Sequence, residues 1–237
     1  MYKMLLRSCK LVMITSVFFV ILTGLAMVAY PGGSKYDRTS VHYNIFLNFF
    51  SDLGTTITYS GKQNTLSNIL FIIALGSTGL VMIYFSKIWR AIDTTSHEHK
   101  ILGFLSKIFL VISGSSFIGL AFTPWNKFFD FHLIFFKLAF SFLLAWTLII
   151  IFLQFSNRKM RGLVIVNIIF ALFLSGYDYF LFTGPNFGSE EGFEFQAITQ
   201  KLIVYLAIVN LFIQAFGIKR FLRSADFRRN GMKNFYV

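Results

Sequence analysis

The chain has few of the charged side chains that a water-soluble protein of its size carries on its surface. Only 14% of its 237 residues are charged and 56% are hydrophobic, and 32 of them are phenylalanine. Soluble domains carry about 25% charged and about 45–50% apolar residues. The composition therefore excludes a soluble enzyme, a disordered chain and a nucleic-acid-binding domain, and it indicates a membrane protein.

Residues that bind metals and cofactors are also scarce. The single cysteine, Cys9, excludes a disulfide framework and any zinc site built from several thiolates. The topology given below places His97 and His99 on one side of the membrane and His42 and His132 on the other, so three histidines cannot meet one ion. The sequence has no phosphate-binding loop and no dinucleotide-binding glycine motif. We therefore expect no metal and no cofactor.

Six apolar stretches are each long enough to cross a membrane. A helix needs roughly 20 apolar residues to span a hydrocarbon core of about 30 Å, and the stretches lack the alternation of transmembrane strands. They cover residues 11–30, 67–85, 102–122, 131–155, 163–182 and 199–217. The apolar core of the first is longer than that of a secretory signal, so we interpret it as a retained anchor. The sequence predicts one all-α domain over residues 1–237, a polytopic integral membrane protein with six transmembrane helices.

The distribution of lysine and arginine predicts the orientation of these helices. Fifteen basic residues lie in segments on the side of the N-terminus, and four lie in the opposite loops, namely Lys35, Arg38, Lys62 and Lys127. Because basic residues favour the cytoplasmic side, both termini are predicted to be cytoplasmic, in a multi-pass protein of the cell membrane. The same asymmetry accounts for the net charge of +12 without a nucleic-acid partner.

The first outer loop, residues 31–66, is the only long connection between the predicted spans. Apolar residues recur in its segment 41–54 at a spacing close to 3.6, as at Val41, Ile45, Phe49 and Leu53. This pattern predicts a short amphipathic helix at the outer membrane interface, with Gly54 as its C-terminal cap.

Small residues cluster on the second and third spans, at 76–79 and 113–116. Small side chains let membrane helices approach closely, so these clusters predict close packing of the two spans. A polar pathway through their hydroxyl groups is the alternative.

Ionisable side chains inside a membrane are costly, and they are usually functional or paired. Lys137, Asp178 and Lys201 lie toward the outer ends of their spans. Their depths are compatible, so Asp178 could pair with Lys137 or Lys201. The loops bring further polar side chains to this level. We therefore predict an outer-leaflet pocket that binds its ligand through Ser51, Asp52, Asp130, His132, Lys137, Asp178 and Lys201.

Several of these residues belong to short motifs with a resemblance to a known family. The segments Asn48-Phe-Phe-Ser-Asp-Leu-Gly54, Asn68 with Leu70-Phe71, and Gly119…Pro124…Asp130-Phe-His132 resemble the six-span prokaryotic family called domain of unknown function 998. The Ser-Asp-Leu-Gly element is also similar to a segment of the eukaryotic Frag/DRAM/Sfk membrane proteins, which are linked to lipid remodelling, autophagy and phospholipid asymmetry. The resemblance covers roughly residues 11–217. It implies roles for Ser51, Asp52, Asp130 and His132 and a function in lipid handling, but no particular activity.

Two functions remain open on these observations. The first is lipid handling or lipid sensing without covalent chemistry, with the polar pocket holding a head group. The second is a membrane-embedded hydrolase or transferase that acts on lipid from the outer side, with His132 as the base and Asp52 or Asp130 orienting it. Both make membrane lipids the expected partners. A transporter is disfavoured because neither a broken helix nor an inverted repeat is evident.

Overall fold

The computed structural model describes residues 2–92, 96–183 and 189–224. Within these ranges the chain is helical apart from its loops, and the only strand-like pairing is an isolated bridge between Ile57 and Gln63. Two short 3₁₀ helices cover Phe50–Gly54 and Arg158–Met160. The α-helices are α1 (Tyr2–Ala29), α2 (Thr65–Phe85), α3 (Lys87–Ile92), α4 (His97–Phe122), α5 (Phe129–Phe155), α6 (Arg161–Thr183) and α7 (Glu190–Leu222).

Six helices in the described ranges are long and apolar enough to cross a membrane. Their number agrees with the sequence prediction, and each predicted span lies within one of them, except that the first, 11–30, extends one residue beyond Ala29. The helices extend beyond the apolar stretches; α1, for example, begins at Tyr2 and carries exposed Lys3, Arg7 and Lys10. Lysine and arginine are good helix formers, so hydropathy marks the membrane-crossing part of a helix and not its ends. Three of the basic residues counted for topology, Arg228, Arg229 and Lys233, lie outside the described residues.

The six long helices form a closed circuit, in which α1 packs against α2, followed by α4, α5, α6 and α7, and α7 packs against α1. Most connections are short, so neighbouring helices run antiparallel. We call the end of the bundle that carries residues 30–64 and 123–128 the capped end, and the end that carries the first residues of α1 the terminal end. The site described below lies inside the circuit at the capped end.

The outside of this bundle carries many large apolar side chains, and its inside includes many polar ones. Phe18, Ile73 and Leu172 are about half exposed or more, whereas many polar side chains, such as Thr23 and Gln214, are fully buried. An apolar exterior of this kind suits contact with lipid chains. Several of the buried polar groups bond within the bundle, as when the Thr23 and Tyr205 hydroxyls meet at 3.1 Å between α1 and α7.

Glycines on α2 and α4 allow these two helices to pack at close range. A Cβ atom on Gly79 would lie 2.4 Å from the carbonyl oxygen of Gly114, and one on Gly114 would lie 2.7 Å from that of Gly79. One residue before Gly114, the Ser113 hydroxyl donates to the Ala139 carbonyl of α5 at 2.8 Å. These contacts support the packing interpretation of the small-residue clusters.

The first loop differs from its sequence prediction. Residues 41–49 form turns and bends in place of an amphipathic helix, and the helical part is the 3₁₀ helix Phe50–Gly54. The reason is local competition for the backbone. The Asn44 Oδ1 atom accepts from the backbone N–H groups of Phe46 and Leu47, and the Asn48 Oδ1 atom accepts from that of Asn44. The 3₁₀ helix has Gly54 as its last residue, but its C-terminal cap is Thr55 and not Gly54.

Two glycines fold the start of this loop back on itself. Gly32 and Gly33 have φ angles of 104° and 86°, a region that L side chains rarely adopt. A Cβ atom on Gly32 would lie 2.2 Å from the Ser40 carbonyl oxygen, and one on Gly33 would lie 2.3 Å from the Ser60 nitrogen. The loop is therefore compact, and it brings the 3₁₀ helix into contact with α1, α2 and α7.

Candidate functional site

The 3₁₀ helix places Asp52 in a fully buried position at the capped end. One carboxylate oxygen, Oδ2, accepts from Asn48 Nδ2 at 3.0 Å and from the Phe49 backbone N–H at 2.9 Å. The other, Oδ1, accepts from Trp125 Nε1 at 3.0 Å. Burial raises the pKa of Asp52 to about 6, while the Asn48, Trp125 and Phe49 donors and the nearby Lys201 charge act in the opposite direction. Asp52 thus joins the loop to the α4–α5 connection, with both oxygens bonded inside the protein.

Helix α7 holds the same loop from the other side. The buried Lys201 ammonium donates to the backbone carbonyls of Asn48 and Ala197, the latter at 2.7 Å, and it lies 5.6 Å from the centre of the Tyr43 ring. One residue earlier, Gln200 Oε1 accepts from the Phe50 backbone N–H at 2.8 Å. Carbonyl dipoles and an aromatic ring therefore satisfy the lysine charge, and they fix α7 against the segment that carries Asp52.

A small cavity lies between this loop and helices α2, α4, α5 and α7. The volume of the cavity is about 20 Å³, which is room for one or two water molecules. Three polar residues, Ser51, His132 and Gln200, belong to its wall, but the surface that they present to the cavity is apolar. The rest of the wall is apolar and mostly aromatic, formed by Phe50, Phe71, Phe117, Phe136 and Phe140 with Leu75, Leu120 and Val204.

The α4–α5 connection fixes the orientation of His132. Its Nδ1 atom lies 2.7 Å from the carbonyl oxygen of Thr123, the residue after α4. A carbonyl only accepts, so Nδ1 carries the proton, and the Nε2 atom of the neutral ring keeps its lone pair. No described residue bonds to Nε2. The ring lines the cavity with apolar atoms only, so Nε2 can act there as an acceptor, a base or a ligand atom only after the wall moves.

The structure brings together only part of the predicted pocket. Ser51 and His132 line the cavity. Asp52 and Lys201 directly follow the lining residues Ser51 and Gln200 in sequence, but they do not line the cavity themselves. Within the described ranges, no hydrogen bond joins the Ser51 hydroxyl to His132, so the two do not form a nucleophile–base pair of the usual kind.

Two predicted site residues on α5 face away from the cavity. Asp130 is exposed in the first turn of the helix, and the Lys137 ammonium lies 5.2 Å from the centre of the Phe182 ring. Successive residues of an α-helix are turned by about 100°, so Asp130 and Lys137 cannot share the inward face of His132 and Phe136. The seven-residue pocket was therefore predicted too broadly: similar depth along a helix does not imply a common face.

The predicted ion pair of Asp178 is also absent from the structure. Asp178 is 7% exposed on α6, and its Oδ1 atom has no hydrogen-bond partner in the described part of the chain. Lys201 is bound to the carbonyls of the loop, and Lys137 lies over Phe182. The prediction was wrong because it matched the lysines by depth and did not anticipate the backbone carbonyls that the loop presents to Lys201.

Neutral polar residues escaped the sequence prediction because it considered mainly ionisable groups. At the capped end these are Asn48, Trp125 and Gln200. A second group lies toward the terminal end, where Gln154 Nε2 donates to Gln214 Oε1 at 2.6 Å and Asn167 Nδ2 donates to Gln154 Oε1 at 2.7 Å. The sequence does indicate the amide residues of the helices, since Gln154, Asn167, Gln200 and Gln214 interrupt the apolar runs of α5, α6 and α7.

Neither a metal-ligand cluster nor a similar protein helps to interpret this arrangement. Over residues 2–92, 96–183 and 189–224, no group of three or more His, Cys, Asp or Glu side chains is placed to hold a metal ion. No protein-family model, curated protein or solved structure matches the chain.

Proposed function

We propose that the chain is a multi-pass protein of the cell membrane that binds a membrane lipid through the lipid's head group, without covalent chemistry. The observation that carries this proposal is the apolar cavity at the capped end, inside a circuit of membrane-crossing helices, whose wall includes the polar residues Ser51, His132 and Gln200. Mostly apolar cavities with a few converging polar groups are the usual form of small-molecule sites. A ligand that reaches such a cavity from the membrane has to be amphipathic, as lipids are.

The charge asymmetry supports an orientation for this site. Cytoplasmic segments of membrane proteins carry an excess of lysine and arginine, so we place both termini in the cytoplasm and the capped end at the outer leaflet. The exposed Val41, Ile45 and Phe46 of the loop would then lie at the outer membrane interface. Labelling of single cysteines at Glu190 and at Lys100, in a Cys9→Ser background, tests this. Intact cells should be labelled at position 190 only, and the reverse pattern would overturn the orientation.

The short motifs support membership in the family called domain of unknown function 998. Two of the segments on which that resemblance depends, 48–54 and 119–132, contribute Ser51 and His132 to the same cavity. Asp52 is a positioning residue that does not touch the ligand, because its carboxylate already accepts hydrogen bonds from Asn48, Phe49 and Trp125.

A head group needs more room than the cavity has, so binding requires side chains or helices to move. Among neighbouring helices in the circuit, α6 and α7 share the least extensive contact. The boundary between them is therefore the natural entry route from the membrane.

One observation favours a second function, a hydrolase or transferase that acts on lipid. The bond between His132 Nδ1 and the Thr123 carbonyl leaves Nε2 as an acceptor beside a cavity of water size, which is the arrangement of a general base. Turnover of a vesicle lipid that is lost in a His132 variant would favour this function over binding alone.

Native mass spectrometry of the purified protein tests the binding proposal. His132→Asn can keep a donor for the Thr123 carbonyl but removes the Nε2 acceptor. His42→Asn, on the exposed part of the loop, is the matched control. We expect bound lipid on the wild type and on His42→Asn, and at least about tenfold weaker binding on His132→Asn, a loss of about 1.4 kcal/mol. Equal lipid binding by all three proteins would refute the site.

A further inference from the structure

Asp178 is a buried carboxylate to which the described residues supply no counter-charge. It shares the inward face of α6 with Leu174, one turn away, and its Oδ1 atom has no partner among the described residues. An unpaired charge in a membrane is expensive, and such residues usually mark a binding or transfer site. Neither Lys137 nor Lys201 forms an ion pair with it: the Lys137 ammonium lies 5.2 Å from the centre of the Phe182 ring, and Lys201 donates to backbone carbonyls. Asp178 is therefore open to a cation or a hydrogen-bond donor that the described residues do not supply.

A cluster of aromatic rings begins at Tyr177, the residue before this carboxylate, and reaches the cavity. The ring of Tyr177, the preceding residue, lies 5.5 Å from that of Phe140 and 6.2 Å from that of Phe136. Phe136 and Phe140 are themselves 4.9 Å apart and line the cavity. The faces of aromatic rings attract organic cations, and clusters of such rings bind ammonium groups. The carboxylate and the rings therefore favour the same kind of ligand.

The lining of the cavity is unsuited to an anion. Phosphate and carboxylate groups are usually held by arginine, lysine or backbone N–H groups at a helix N-terminus. No lysine or arginine lines this cavity, and its nearest buried cation, Lys201, donates to Asn48 and Ala197. His132 offers an unpartnered Nε2 acceptor. The groups around the site are therefore mainly hydrogen-bond acceptors and aromatic rings, which suit a cation better than an anion.

We propose that Asp178, with the aromatic wall of Phe136, Phe140 and Tyr177, binds the primary or quaternary ammonium group of a lipid head group. This inference rests on the proposed lipid-binding function and specifies the class of lipid. The ammonium group enters at the capped end of the α6–α7 boundary, its charge is balanced by the Asp178 carboxylate, and its hydrogens or methyl groups contact the rings. Zwitterionic lipids with an ethanolamine or choline head are favoured over anionic lipids with a glycerol head.

Competition between two lipids tests the inference. The full-length protein is mixed with equal amounts of phosphatidylethanolamine and phosphatidylglycerol that carry identical acyl chains, and the bound lipids are counted by native mass spectrometry. The wild type should prefer the ethanolamine lipid by about tenfold, or about 1.4 kcal/mol. Asp178→Asn should bring the ratio to within about twofold of one. Asp130→Asn, which alters an exposed carboxylate at the same end of the bundle, should keep the wild-type ratio.

The outcomes separate this inference from the function on which it rests. If neither lipid binds, the proposed function itself fails. If both lipids bind without preference, or if the preference survives in Asp178→Asn, the ammonium site is refuted while lipid binding stands. Should Asp178→Asn fail to fold, Tyr177→Leu tests the aromatic side, and an unchanged lipid ratio there refutes the site. Free ethanolamine that binds tightly in the absence of lipid would overturn the lipid as the source of the ammonium group.

Discussion

Removal of the Asp52 carboxylate should release the loop from the helix bundle. Asp52→Ala takes away the acceptor for Asn48 Nδ2, the Phe49 backbone N–H and Trp125 Nε1. Hydrogen bonds to a charged group contribute about 1.5–3 kcal/mol each. The Asn48 amide keeps a second acceptor, the Gly33 carbonyl at 3.0 Å, so its share is smaller than the others. We expect the free energy of unfolding to fall by about 3–5 kcal/mol, which is large for one substitution.

A matched control is available in the same loop. Asp37 is an exposed carboxylate that accepts from the Thr39 backbone N–H at 2.9 Å and from its hydroxyl at 2.6 Å. Because water can replace these bonds, Asp37→Ala should leave the free energy of unfolding nearly unchanged. Unfolding in mixed detergent micelles, followed by tryptophan fluorescence, measures both variants. A difference below about 1 kcal/mol would refute the claim that Asp52 fastens the loop.

The partner side of this interaction can be measured separately. Trp125→Phe removes the indole donor but can keep a ring against Tyr59, whose centre lies 5.7 Å from that of Trp125. A double-mutant cycle with Asp52→Ala should give a coupling energy of about 1–2 kcal/mol. Additive effects would mean that the bond between Trp125 and Asp52 contributes nothing to stability.

Two further predictions concern pH and helix packing. Burial raises the pKa of Asp52 to about 6, above about 3.9 in an unfolded chain, so the stabilisation by protonation is complete below pH 4 and is lost as the pH rises through 6. Relative to Asp52→Asn, the wild type should lose up to about 3 kcal/mol of unfolding free energy between pH 4 and pH 7, and parallel pH profiles would contradict this. Gly79→Leu places a side chain against the Gly114 carbonyl and should destabilise the bundle by about 3 kcal/mol. A Cβ on Gly76 meets nothing within 4 Å, so Gly76→Leu should cost less than about 0.5 kcal/mol, and similar losses in the two variants would refute the close α2–α4 contact.

The number and approximate position of the spans could be predicted because the membrane imposes one simple requirement. About 20 consecutive apolar residues are needed for each crossing, and this pattern is visible without knowledge of the tertiary contacts. The helix ends were less predictable. The first apolar run begins only after Lys3, Arg7 and Lys10, whereas α1 begins at Tyr2. The two starts differ because helix formation does not depend on hydropathy.

The composition of the site could be predicted only in part, since membrane helices that are apolar on every side give little indication of which face turns inward. Asp130, His132 and Lys137 are close in sequence, yet only His132 lines the cavity. The groups that fix His132 and Lys201 are the backbone carbonyls of Thr123 and Asn48. Backbone carbonyls occur at every residue and carry no sequence signal, so a search among side chains could not find these partners.

The two ends of α6 are held in different ways, and this difference bears on how the cavity can open. At the terminal end, the Asn167 amide donates to Gln154 on α5, and Gln154 donates to Gln214 on α7. An amide left unbonded in an apolar medium costs several kcal/mol, so this network resists separation of the three helices there. At the capped end, Asp178 has no bond to α7 within the described chain. Parting α6 from α7 at the capped end separates the rings of Phe180 and Phe195, whose centres lie 5.8 Å apart, and breaks the contact of Tyr177 with Gln200. It leaves the amide network of the terminal end intact, so we propose this end of the boundary as the entry route for a head group.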